Sequence, residues 1–83
     1  MMNKASFYHL IAQTMNMETS IVLNNENTSL FERPFNFSPE QMLYLYFGIK
    51  SELGNEFSRA VEEIILEEKF TSPKNIFTAI ANR

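Results

Sequence analysis

Apolar residues recur at helical spacing in separate stretches of this chain, and the gaps between them read as loops. Phe7, Leu10, Ile11, Thr14 and Met15 fall at i, i+3, i+4, i+7 and i+8, which predicts a first helix over about residues 4–16. His9 lies opposite that stripe, on the solvent side. Residues 18–37 then lose all periodicity. Asn24, Asn25, Asn27, Thr28 and Ser29 read as loop, with Ile21 to Leu23, Leu30, Phe31, Phe35 and Phe37 as apolar anchors. So long a connection is expected to be packed by its own side chains. Residues 20–23 would suit a strand, but no second strand offers itself as a partner, so no sheet is expected.

The second helix has the best-marked start. Ser38 is an N-cap residue type, Pro39 suits the first helical position, and Gln41 completes a capping box. Phe37 and Met42, on either side of that cap, have the spacing of a hydrophobic staple. The helix is expected to run to about Leu53, where Gly54-Asn55 supplies a stop. A third helix is expected over about residues 58–68, with Phe57, Val61 and Ile64 facing inward. Ser72-Pro73 repeats the cap-then-proline start before a short fourth helix, whose inner face carries Ile76, Phe77 and Ile80. No internal repeat is present. The expected fold is all-α, a small four-helix bundle in one domain over residues 1–83, with a long loop between helices 1 and 2.

The second helix is apolar on two sides. At 100° per residue, Met42, Leu45, Tyr46, Ile49 and Leu53 share one stripe, the natural core face. Leu43, Tyr44 and Phe47 point the other way. Burying a Leu or Phe contributes roughly 1.5–3 kcal/mol, so leaving three such residues in water is a cost that a binding surface would explain. Two readings stay open here: the Phe-rich loop folds over this face, or a partner does. Large rigid aromatics favour the partner.

Composition narrows the chemistry. The chain of 83 residues has no Cys, no Asp and no Trp, and its only His is His9. That excludes a disulfide frame, a thiol nucleophile, a Ser-His-Asp triad, a two-His metalloprotease helix and an EF-hand loop. Catalysis is therefore not expected, and no catalytic or metal-ligating residue is assigned. The pairs Glu62-Glu63 and Glu67-Glu68 are adjacent on one helix and do not converge on one ion. Ten acidic against seven basic residues give a net charge of −3, and the basic residues are scattered, which argues against nucleic acid. Five Glu against Arg59 between residues 56 and 68 make one locally acidic segment. The first sixteen residues hold a single Lys4 and no continuous apolar stretch, so no secretory signal is expected. No run approaches the ~18 apolar residues of a membrane span. A cytoplasmic protein that touches neither membrane nor nucleic acid is the expectation.

The segment from Phe31 to Ile80 resembles acyl carrier proteins. In that family the second helix begins at an Asp-Ser-Leu motif and continues in the form V-E-L-x-x-x-L-E-x-E-F. Here Leu43-Tyr44-Leu45-Tyr46-Phe47-Gly48-Ile49-Lys50-Ser51-Glu52-Leu53 matches that apolar spacing. Phe31 and Phe35 align with apolar residues upstream of the motif. Phe70-Thr71-Ser72-Pro73-Lys74-Asn75-Ile76 is similar to the family's I-T-T-x-x-D-I at the start of the last helix. The departures lie at the third-helix region, which is longer here, and at the motif itself. Ser38 stands at the family's Asp and Pro39 at the serine that bears phosphopantetheine. Proline has no hydroxyl to esterify, and Ser38 has a sufficient role as the cap.

A subgroup fits better: the acyl-carrier-related proteins of bacterial peptide-maturation (bacteriocin-type) clusters, which often carry an F-x-F-S-P-x-x-L-L-Y-L-type segment here. That resemblance implies a non-catalytic, cofactor-free interaction module for a maturation enzyme or its precursor peptide, with Leu43, Tyr44 and Phe47 as the contact patch. The alternative is a true acyl or peptidyl carrier with its phosphopantetheine arm on Ser38. A second copy of the chain is a further candidate partner, because an exposed patch can be isologous in a homodimer.

Overall fold

A computed structural model of the chain describes residues 3–56, 62–63 and 72–81. Every regular element among them is helical. The first helix, α1 (Lys4–Met15), opens on Asn3, whose Oδ1 accepts the Ser6 N–H at 2.7 Å. It closes on Asn16 in the left-handed region at φ 54°, a conformation that Asn tolerates better than most side chains. Phe7, Tyr8, Ile11 and Ala12 are buried, while Leu10 and Met15 are half-buried against the core. The inner face is thus rotated toward Tyr8 and Ala12 from the expected stripe. The reason is that α1 is the central element, contacting three other helices, and one stripe of apolar residues cannot cover that arc.

The segment expected as loop contains a helix, α2 (Thr19–Asn24), which corrects the long connection after α1. At six residues it spans less than two turns, too short for a 3.6-residue period to show in the sequence. Its Thr, Ile and Val are mediocre helix formers, and so short a helix is unstable in isolation. Packing on α1 sustains it, with Val22 fully buried.

Residues 25–38 form the remaining connection, and it is packed by its own side chains as expected. Leu30, Phe35 and Phe37 are buried. The Phe37 N–H donates to the Leu30 carbonyl at 2.8 Å, closing the segment on itself. Within it the Glu32 carbonyl accepts from the Phe35 and Asn36 N–H groups, each at 2.9 Å, around a cis Arg33-Pro34 peptide. That is the turn class in which a cis proline holds the third position.

The next helix, α3 (Pro39–Leu53), starts where the sequence places it. Ser38 Oγ accepts the Gln41 N–H at 3.3 Å, and Gln41 Oε1 accepts the Ser38 N–H at 2.7 Å, a complete capping box with Pro39 at the first helical position. Leu45, Ile49 and Leu53 are buried, with Met42 and Tyr46 packed beside them. Gly54 ends the helix at φ 55° and leads into a 3-10 turn, Gly54–Glu56. Of the helix expected over 58–68, Glu62 and Glu63 are helical, and its other positions, with Phe57, Val61 and Ile64, lie outside the described residues.

The last helix, α4 (Pro73–Ala81), is capped by Ser72, whose Oγ accepts the Asn75 N–H at 3.2 Å. Ile76 and Ile80 are buried and Phe77 is half-buried. The Phe7 and Phe77 rings lie 6.0 Å apart, joining α4 to α1. A polar tie reinforces that junction. Glu26 accepts from Tyr8 Oη at 2.8 Å and pairs with Lys4 Nζ at 3.1 Å, while its carbonyl accepts the Lys74 N–H at 3.0 Å.

Candidate partner surface

The capping box fixes where α3 begins, and burial of its apolar stripe fixes its rotation about its axis. The core stripe Leu45, Ile49 and Leu53 then faces α1, and the opposite side of the helix is left outward. On it Leu43 is 50% exposed, Tyr44 62% and Phe47 53%. The connection over residues 25–38 does not cover this face: its Leu30, Phe35 and Phe37 turn into the core instead. All three residues expected as a contact patch are therefore together on one exposed surface.

Phe47 is held from the side. Its ring meets Tyr46 edge-on at 5.3 Å and 62°, a favourable quadrupolar arrangement. Tyr46 in turn donates its hydroxyl to Glu62 Oε2 at 3.1 Å. Burial, followed by that hydrogen bond, pushes the Tyr46 phenol above its ordinary value and keeps it a donor. The patch thus has a braced edge at Phe47, while Tyr44 is its most exposed ring.

Ser38 lies at the foot of the same helix. It is half-buried, and its Oγ is committed to the Gln41 N–H. Pro39, at the carrier-serine position, offers no oxygen. The one hydroxyl at this end of the helix is thus engaged as its cap. Among the described residues no group of three or more metal-ligating side chains converges. His9 Nδ1 lies 3.2 Å from Thr19 Oγ1 on the exposed side of α1.

No family model, curated protein or solved structure matches this chain.

Two residues expected as apolar anchors of the aperiodic segment are exposed instead. Leu23 and Phe31 are each 52% exposed. Leu23 borders an apolar groove of about 330 Å³ between α1 and α2, lined also by Lys4, Ala5, Tyr8 and Thr19. The only sequence signal was their place in an aperiodic segment, and that does not distinguish an anchor from an exposed residue. Among the described residues, no helix is long and apolar enough to cross a membrane.

Proposed function

We propose that this chain is a non-catalytic interaction module of acyl-carrier-like type. It docks a peptide-maturation enzyme or its precursor peptide through Leu43, Tyr44 and Phe47 in a cytoplasmic setting. The observation that carries this reading is the second face of α3, where three large apolar side chains are each at least half exposed on a helix whose other face is fully employed in the core. Large aromatics at the centre of a patch are the residues that dominate interface energetics. The carrier-like pattern contributes the helix order and the position of this helix. The sequence around Ser38-Pro39 supports docking without a prosthetic arm.

The test is the double substitution Tyr44→Ser/Phe47→Ser, with a co-encoded maturation enzyme or precursor peptide as bait. Both rings lie outside the core, so unfolding free energy should change by no more than about 1 kcal/mol. Loss of the two rings should weaken capture of the bait by about 2 kcal/mol or more, roughly thirtyfold. Undiminished capture sinks the proposal. A collapse of stability would instead assign these rings to the fold.

A further inference from the structure

The outward face of α3 is longer than its apolar centre, and its ends carry opposite charges. Glu40, Leu43, Tyr44, Phe47, Lys50 and Ser51 are all exposed and fall within an arc of about 120°, opposite the core stripe. Glu40 precedes the apolar residues by about one turn, and Lys50 follows them by about one turn. Residues spaced in this alternating three-and-four pattern form the seam along which two helices pack.

An antiparallel copy of α3, related by a two-fold axis level with residue 45, makes this face complementary to itself. The same axis sets Leu43 opposite Phe47 of the other copy and Glu40 opposite its Lys50, twice over by symmetry. Tyr44 falls next to the axis, where both rings are covered. A parallel pairing would put Glu40 against Glu40, so the charges select the antiparallel arrangement. Lys50 already interacts within its own chain, and the three donors of an ammonium leave room for a second acceptor.

We propose that the free protein forms a weak antiparallel homodimer through the outward face of α3, with Glu40 of each copy paired to Lys50 of the other. This goes beyond the docking function and concerns the same surface, so dimer and partner complex exclude one another. The exposed halves of Leu43, Tyr44 and Phe47 offer on the order of 300 Å² per copy. A standard stable interface takes about 800 Å² per partner. The dimer is accordingly weak and readily displaced by a partner that covers more surface.

Sedimentation velocity on the full chain from about 10 µM to about 1 mM should show a concentration-dependent monomer–dimer equilibrium. Glu40→Lys and Lys50→Glu should each weaken it about tenfold, because two attractive pairs become repulsive. The exchange Glu40→Lys/Lys50→Glu should restore it to within about twofold. Salt gives an independent reading on the unaltered chain: added NaCl should weaken the dimer by screening the pairs. A monomer at every concentration overturns the proposal. So does an exchange variant as weak as the single ones, or a dimer strengthened by salt. The charge variants keep all three apolar residues, so bait capture by the same variants reports on the docking function separately.

Discussion

Gly48 shows how one position on α3 answers to its neighbour rather than to the helix around it. A Cβ added there would sit 2.7 Å from Leu10 Cδ1 and 3.3 Å from its Cγ, at the crossing of α1 and α3. Two effects oppose each other. Replacing a mid-helix glycine with alanine gains about 1 kcal/mol of helix propensity. The clash is with the outer end of a half-buried leucine, which can turn aside. Gly48→Ala should therefore leave urea-unfolding stability within about 0.5 kcal/mol of the starting protein. Gly48→Val adds branches that Leu10 has no room to avoid, and should cost about 1–3 kcal/mol. In the sequence Gly48 is simply a helical residue, because its constraint comes from a side chain 38 positions away. Ser38 is the opposite case. Its partner lies three residues on, so its role as a cap was legible from local spacing alone.

At the scale of the element, α3 carries two apolar faces with different duties. Leu45 is fully buried and Leu43, two residues before it, is half exposed. Leu45→Ala should destabilise the protein by about 2–5 kcal/mol by opening a cavity. Leu43→Ala should cost no more than about 0.5 kcal/mol, as surface substitutions do. Chemical denaturation of the two variants side by side checks the assignment, and equal losses would mean that both faces are core. The two-faced pattern was visible in the sequence because α3 is fifteen residues long, enough for the 3.6-residue period to separate its sides. The six-residue α2 was not visible for the same reason in reverse. Its helicity depends on Val22 reaching the core, which only the packed chain arranges.

Across the whole molecule, Glu26 links α1, the connection and α4 through Tyr8, Lys4 and the Lys74 N–H. The Tyr8 hydrogen bond, then the Lys4 contact, holds the Glu26 carboxyl below its ordinary value of 4.5. A carboxyl lowered in the folded state contributes stability above that value, and the contribution is lost as pH falls through the lower one. Burial, then the hydrogen bond to Glu26, pushes the Tyr8 phenol well above 10.0. A phenol raised in the folded state contributes stability that is complete below pH 10.0 and lost as pH rises beyond it. Thermal melting should therefore hold steady near neutrality and decline above pH 10.0. Tyr8→Phe should melt lower at neutral pH and decline less steeply above 10.0, with Tyr46 supplying the remaining slope. An unchanged alkaline slope in the variant would show that Tyr8 is not the group responsible.

Local order in the chain set the helical class, the starts of α3 and α4, and the two faces of α3, because each rests on residues no more than a few positions apart. Caps, prolines and periodicity need no knowledge of the rest of the molecule. Tertiary structure alone decided that α2 is a helix, that α1 turns Tyr8 and Ala12 inward, and that Phe35 and Phe37 leave the outer face of α3 uncovered. Those outcomes depend on which surfaces meet across long separations in sequence, where one apolar anchor looks like another. The exposed patch is the product of both: the sequence placed three large apolar residues on one side of a helix, and the packing of the remainder left that side in water.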